Sequence, residues 1–200
     1  MFSTKKIIDA ARTRRSSSYD DWEASFASAS LIFWETAFLN FSSSLYFSLL
    51  VAPTGSIYNH ACVMRRVLDL GLPILPVGIR SLCLEEAELI KQQQIPVVWA
   101  KDIYRQPNWI EKAISHITTD KVFITIDLDG LDPSLMPGVG TPEPGGLNWY
   151  ELTRFLRSLF SKHQVIGCDV MELAPTSDSV VSEFTAAKLV YKLIGYSLLN

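Results

Sequence analysis

The sequence feature that most constrains the fold is an apolar run that ends abruptly in two acidic residues. Residues 121–127 read Lys-Val-Phe-Ile-Thr-Ile-Asp, and Asp129 follows before a proline- and glycine-rich loop that extends to Gly146. A run of β-branched and aromatic residues with a turn directly after it is typical of a buried β-strand. Because successive side chains of a strand point to opposite faces, we expect Asp127 and Asp129 to share a face and to bind one cation.

Size and charge limit the class of protein. With 200 residues, of which 48% are hydrophobic and 20% charged, the chain predicts one globular domain. The net charge of −3 argues against nucleic acid as a partner and favours a small-molecule substrate, since nucleic-acid-binding proteins usually carry clustered positive charge. The three cysteines are widely spaced in apolar surroundings, which predicts reduced thiols and a cytoplasmic location.

The pattern along the chain separates an atypical leader, residues 1–54, from an α/β domain, residues 55–200. From Ser56 onward, apolar runs alternate with amphipathic helical patterns, as in βαβ units. We therefore expect a three-layer α/β/α fold with a mostly parallel sheet, and a site outside the carboxyl ends of its strands. The predicted strands are 74–79, 95–99, 121–127 and 164–171, and the predicted helices are 61–70, 84–93, 108–117, one that opens at Asn148, and 179–198.

The leader does not fit this pattern. Residues 31–52 are rich in phenylalanine, leucine and serine, with Glu35 as the only charge, and show neither strand alternation nor an amphipathic stripe. A run of this length can span a bilayer, which leaves open a membrane-tethered binding module. Asn40 and the serines at 42–44 lower the hydropathy, so a buried or poorly ordered segment is favoured over a membrane span.

Four segments between residues 56 and 200 resemble, in the expected order, motifs of the ureohydrolases, the family of arginases and agmatinases. In the longest of them, Thr125, Asp127 and Asp129 are followed at fixed spacings by prolines and glycines. Its loop Thr141-Pro-Glu-Pro-Gly-Gly is more similar to the agmatinase branch than to the arginases. The other three segments are Ser56-Ile-Tyr-Asn-His60-Ala, Gly78-Ile-Arg80-Ser and Asp169-Val-Met-Glu172-Leu-Ala-Pro175.

The resemblance implies a hydrolase with two Mn²⁺ ions that cleaves agmatine to putrescine and urea, and that forms homo-oligomers in intact relatives. Asp127 would bridge the ions and Asp129 would bind one of them, because hard carboxylate oxygens suit Mn²⁺. Glu172 would pair with the substrate guanidinium, and Thr141 would be a second substrate contact. His60 would transfer a proton to the leaving amine.

These residues also have structural interpretations. The Asp-x-Asp pair is common as a solvated turn or helix cap, and His60 could cap backbone groups at a helix start. Glu172 could form an ion pair with Arg80 at the ends of two strands. Asp132, which precedes Pro133, is predicted to fix the loop through side-chain to backbone hydrogen bonds and not to bind metal.

The chain departs from the family upstream of His60. Family members carry two further metal motifs there, a Gly-Gly-Asp/Glu-His run and an Asp-Ala-His-x-Asp run, and neither occurs in this sequence. The histidines are His60, His116 and His163, so none precedes Gly55. This favours, as an alternative, a catalytically inactive, truncated or frameshifted ureohydrolase remnant, that is, a pseudoenzyme. Translation of the other two reading frames of the gene tests the frameshift, because the missing motifs should appear there.

Overall fold

The computed structural model of the protein describes residues 36–41 and 62–199, and for residues 36–41 it describes the backbone. These residues lie in one compact unit, Glu35–Asn200. Its strands are β1 (Thr36–Phe41), β2 (Ile74–Ile79), β3 (Val98–Trp99), β4 (Lys121–Asp127) and β5 (Gln164–Met171). Its helices are α1 (Val63–Asp69), α2 (Leu84–Gln93), α3 (Ala100–Arg105), α4 (Trp109–Ser115), α5 (Trp149–Lys162) and α6 (Val181–Leu198), with a 3₁₀ turn at Leu128–Gly130.

The five strands form one parallel sheet in the order β3-β2-β1-β4-β5. The register places Phe41 of β1 opposite Ile126 of β4, and Asp127 of β4 opposite Met171 of β5. All the carboxyl ends therefore meet at one edge of the sheet. Residues that follow different strands in the sequence are brought together there.

The strand order also places the helices. The connections from β1 to β2 and from β2 to β3 run towards one side of the sheet, whereas those from β3 to β4 and from β4 to β5 run back towards the other side. Because parallel crossovers are right-handed, the helices of the two groups cover opposite faces. This gives the three-layer α/β/α arrangement, and the predicted fold class is confirmed.

The core lies between the sheet and the helices of one face. Strand β2 is buried at every position, as expected for a parallel strand covered on both faces. Helix α5 has the largest buried face: its Phe155 is fully buried and stacks on Trp109 with ring centroids 5.3 Å apart. Asn148 begins α5 in a capping box with Glu151, as predicted.

Strand β1 was not predicted. It lies within residues 1–54, yet it pairs with β2 on one side and β4 on the other. It also falls in the middle of the segment 31–52, which argues against a membrane helix there. None of the helices within residues 62–199 combines the length and the apolar character that a bilayer span requires. The remaining residues of the leader lie outside the described part of the chain, and the boundary at residue 54 stays a prediction.

Two smaller differences concern the segment after β2. The third strand is shorter than predicted, Val98–Trp99 instead of 95–99, and the additional helix Ala100–Arg105 follows it directly. The other strands predicted downstream of residue 55 have the predicted bounds. The predicted helices are all present, with ends that differ by a few residues in some cases.

Candidate active site

Strands β1 and β4 lie side by side at the centre of the sheet, and the chain leaves them in opposite directions. This is a topological switch point, where the two connections part and leave a crevice outside the carboxyl ends of the strands. Asp127 is the last residue of β4 and therefore lies at this crevice. The fold thus places the Asp-x-Asp segment where parallel α/β sheets bind ligands.

The geometry of the two aspartates differs from the predicted one. Strand β4 ends at Asp127, and Asp129 lies in the 3₁₀ turn Leu128–Gly130, so the two residues do not share a strand face. Instead, Oδ1 of Asp127 accepts a hydrogen bond of 2.9 Å from the backbone N–H of Asp129. The carboxylate of Asp127 therefore caps the turn that orients Asp129.

The carboxylate of Asp129 is buried, with 4% of the residue exposed. Its Oδ2 accepts hydrogen bonds from the hydroxyl of Thr141 and, at 3.2 Å, from the backbone N–H of Thr141. Its Oδ1 is also buried and has no hydrogen-bond partner among the described residues. A buried carboxylate oxygen without a donor is costly for the fold, so a bound cation would satisfy it. The predicted substrate contact of Thr141 is not tested by this geometry.

Asp132 fixes the following loop, as predicted. Its Oδ1 accepts hydrogen bonds from the hydroxyl and the N–H of Ser134, at 2.6 and 3.0 Å, and its Oδ2 accepts one of 2.9 Å from the N–H of Gly145. The hydroxyl of Ser134 is the main cause that lowers the pKa of Asp132, and the two backbone N–H groups add to it against the opposing effect of burial. Asp132 is therefore a structural carboxylate.

This geometry predicts a pH-dependent effect of Asp132→Asn. The pKa of Asp132 in the unfolded chain is about 3.9, and folding lowers it. The ionised carboxylate therefore stabilises the fold at neutral pH. This contribution is lost as the pH falls through the folded-state pKa. We expect the variant to be less stable by about 1 kcal/mol at pH 7, and the difference to shrink below about pH 4. Urea denaturation at pH 7 and pH 3 measures it; the same loss at both would contradict this assignment.

Arg80 directly follows β2. It connects residues 127–130, called here the aspartate turn, with the loop 138–146. Its Nη2 donates to the backbone carbonyls of Asp129 at 3.0 Å and of Glu143 at 2.6 Å. The hydroxyl of Ser81 donates to Oε1 of Glu143 at 2.5 Å, and Nε of Arg80 lies 4.0 Å from its Oε2. Within residues 62–199, no ion pair joins Arg80 to Glu172, so the structural interpretation of Glu172 as the partner of Arg80 is wrong.

Glu172 follows the last residue of β5 and is exposed. Because Met171 pairs with Asp127, Glu172 lies at the same sheet edge as the aspartate turn. Its backbone has φ of +66°, a left-handed conformation that is uncommon for residues other than glycine. Its predicted contact with a guanidinium stays a prediction.

His60 lies outside the described residues, so its predicted role is not tested. His116 and His163 are described. His163 follows α5, and its Nδ1 lies 3.0 Å from the carbonyl oxygen of Thr119. Thr119 lies before β4, at the opposite end of that strand from Asp127, so His163 contributes nothing to the aspartate turn.

The resemblance implies two Mn²⁺ ions, and the described side chains supply only part of the ligands that two ions need. Asp127 and Asp129 supply hard carboxylate oxygens, and the unpartnered Oδ1 of Asp129 suits a cation. However, residues 36–41 and 62–199 contain no cluster of three or more histidine, cysteine, aspartate or glutamate side chains that could hold a metal. On the β1 side, the sequence continues after Phe41 with three serines. The described residues therefore do not fit a complete two-metal site.

The sequence model of the arginase family matches residues 50–195. The chain belongs to the arginase family. Its curated relatives include the N(1)-aminopropylagmatine ureohydrolase of Synechocystis sp., 66% identical over 142 residues, which cover 71% of this chain and 46% of the relative. The agmatinase of Pyrococcus horikoshii is 37% identical over 143 residues, which cover 72% of this chain and 50% of that relative.

Two solved structures are similar in fold to this chain. The agmatine ureohydrolase of Thermoplasma volcanium has a TM-score of 0.71 and 33% identity, and the match covers 82% of this chain and 55% of that one. The arginase of Bacillus subtilis has a TM-score of 0.74 and 26% identity, and covers 84% of this chain and 64% of its own. This arginase-family chain thus spans about half the length of the curated relatives it matches.

Proposed function

We propose that this arginase-family chain is a manganese-dependent ureohydrolase that cleaves a linear guanidinoalkylamine, agmatine or its N(1)-aminopropyl derivative, into urea and an amine. The observation that carries the proposal is the buried carboxylate of Asp129 at the switch point of the sheet, where one of its oxygens has no hydrogen-bond partner within the described part of the chain. The 66% identity to an aminopropylagmatine ureohydrolase supports the guanidinoalkylamine over arginine. A cytoplasmic location and a homo-oligomeric assembly belong to the same proposal, and the free thiols of all three cysteines support the former.

The charge of the sheet edge supports a cationic substrate. Among the described residues, the carboxylates of Asp127, Asp129, Asp132 and Glu143 all act electrostatically on the guanidinium of Arg80. A guanidinoalkylamine carries a positive charge at each end at neutral pH. The excess negative charge would raise its local concentration and orient it along the crevice.

Glu172 would hold the reacting end of the substrate. A carboxylate and a planar guanidinium form two parallel charge-assisted hydrogen bonds, which fix the plane of the guanidinium. The left-handed backbone at Glu172 turns the chain immediately after β5, which suits a residue presented at the sheet edge. Thr141 would contact the same substrate from the loop, and His60 would supply a proton to the leaving amine.

The incomplete metal set favours a second candidate, an inactive remnant of a ureohydrolase. Only Asp127 and Asp129 are available as predicted ligands within residues 62–199, and two carboxylates alone bind divalent cations loosely. A remnant of this kind would keep the sheet and the acidic edge without catalysing hydrolysis.

The metal content of the purified full chain separates the two candidates. The protein is incubated with Mn²⁺, passed through a gel-filtration column and analysed for manganese, and urea release is assayed with agmatine, N(1)-aminopropylagmatine and arginine. The proposal predicts retained Mn²⁺ and urea release from the first two substrates, with arginine much slower. Retained Mn²⁺ without urea indicates a metal-binding pseudoenzyme, and no retained metal indicates a remnant of the ancestral site.

A further inference from the structure

The guanidinium of Arg80 lies between the aspartate turn and the loop 138–146. Its side chain is only 8% exposed, although it follows the end of a strand at the sheet edge. Nη2 makes the two short hydrogen bonds to the carbonyls of Asp129 and Glu143, and Leu131 offers a third carbonyl at 3.5 Å. These acceptors are 49, 63 and 51 residues away in the sequence, so a single side chain ties together three distant backbone positions.

The surrounding charges explain why a buried cation is tolerated there. Burial lowers the pKa of Arg80, and the carboxylates of Glu143, Asp132, Asp129 and Asp127 act in the opposite direction, in that order. The same attraction works on the carboxylates, since the guanidinium offsets the repulsion between the two aspartates of the turn. Removing the positive charge would leave the repulsion among these four carboxylates without the offset that Arg80 provides.

The loop is also attached to Arg80 through Glu143. Its backbone carbonyl accepts from Nη2, while its side chain accepts from the hydroxyl of Ser81 and lies beside Nε of Arg80. The same loop carries Thr141, which donates to the carboxylate of Asp129. The backbone carbonyl of Asp129 therefore accepts from Arg80, which also binds the loop, and its carboxylate accepts from Thr141 of the loop itself.

We propose that Arg80 is the positioning residue of the acidic site: it holds the aspartate turn and the loop 138–146 in the arrangement in which the buried carboxylate of Asp129 accepts from Thr141. Arg80 acts through Asp129 and does not contact the substrate. The claim about the position of the turn stands on the hydrogen bonds above, and only its consequence for metal binding rests on the proposed function.

A lysine cannot replace Arg80. The three carbonyl contacts all come from Nη2, whose N–H groups are held in the plane of the guanidinium, so their directions are fixed. A lysine ammonium keeps the charge, but its N–H groups rotate at the end of a flexible stem. Arg80→Lys therefore separates the effect of the charge from that of the fixed donor direction, and Arg80→Gln removes the charge as well.

Hydrogen exchange of the backbone amides tests the proposal on the full chain without requiring metal. We expect Arg80→Gln to accelerate exchange within 128–147 by roughly tenfold or more, since it breaks hydrogen bonds to a charged donor, and Arg80→Lys to accelerate it less. Exchange in α5, residues 149–162, should stay unchanged. Ser81→Ala is a milder variant and should affect only the loop. Arg105→Gln, at an exposed helix end, is the matched control and should change nothing.

Binding of Mn²⁺ to the same variants is the second measurement. If the wild-type protein retains Mn²⁺, Arg80→Gln should weaken its affinity by roughly tenfold while Arg105→Gln has no effect. If the wild-type protein does not bind Mn²⁺, the proposed function is contradicted. The positioning role of Arg80 is then tested by hydrogen exchange alone. Unchanged exchange within 128–147, or an equal acceleration in α5, would overturn the positioning role.

Discussion

Asp129→Asn is expected to lower the affinity of the protein for Mn²⁺ by at least about thirtyfold, which corresponds to about 2 kcal/mol or more. The substitution keeps the size of the side chain and leaves an acceptor for the hydroxyl of Thr141. It removes the negative charge of a buried carboxylate, one oxygen of which has no hydrogen-bond partner among the residues that the structure describes. Titration of the purified full chain with Mn²⁺, followed by electron paramagnetic resonance of the free ion, measures the change.

The same variant should be more stable than the wild type in the absence of metal. Asp129 is one of four carboxylates that act electrostatically on the guanidinium of Arg80, so its neutralisation relieves repulsion that the fold otherwise tolerates. We expect a gain of about 0.5–2 kcal/mol in the free energy of unfolding, a size common for substitutions that relieve a functional site.

Asp120→Asn provides the matched control for Asp129→Asn. Asp120 is exposed and precedes β4, so it lies at the opposite end of the same strand from the aspartate turn. This variant should change neither the affinity for Mn²⁺ nor the stability by a measurable amount. Two results would contradict these expectations for Asp129. One is an Asp129→Asn variant that binds Mn²⁺ as tightly as the wild type, and the other is a variant that is less stable than the wild type without metal.

Most of the strands and helices downstream of residue 55 could be predicted because their signals are local; the helix Ala100–Arg105 is the exception. The apolar run of β4 ends in a turn, and α5 begins in a capping box at Asn148 that the sequence displays directly. Strand β1 had no such signal. A central parallel strand is covered on both faces and need not alternate, and its place between β2 and β4 depends on pairing with residues far away in the sequence.

The geometry of the candidate site differs from the predicted one, and the roles of its residues stay predictions. The sequence indicated the segment with Asp127 and Asp129, but the strand argument for their shared face failed because a 3₁₀ turn begins directly after Asp127. The role of Arg80 was missed, because its partners lie 49 to 63 residues away and no local pattern indicates which carbonyls a guanidinium will bind. The Gly78-Ile-Arg80-Ser segment at a strand end was the only signal.

Gly146→Ala is expected to destabilise the protein by about 1–3 kcal/mol, because the loop and the aspartate turn approach each other through their backbones. A Cβ atom at Gly146 would lie 2.5 Å from the carbonyl carbon of Leu131 and 2.6 Å from the backbone nitrogen of Asp132. That nitrogen donates to the carbonyl of Leu147 at 3.1 Å, and the nitrogen of Leu147 donates to Gly130 at 3.1 Å. An added methyl group must separate these segments, and urea denaturation measures the cost.

Gly140→Ala in the same loop is the matched control, since a Cβ atom at this exposed position would have no heavy atom within 4 Å. It should be neutral or slightly stabilising, because alanine reduces the conformational entropy of the unfolded chain. The two variants make the same chemical change a few residues apart, so their difference isolates the contact between the loop and the turn. Gly146→Ala should also accelerate amide exchange within 128–147, as is expected for Arg80→Gln, since both should release the loop from Asp129. Equal stability of the two variants would show that the loop yields to a methyl group at no cost, and a loop that yields so easily could not hold the carboxylate of Asp129 in place.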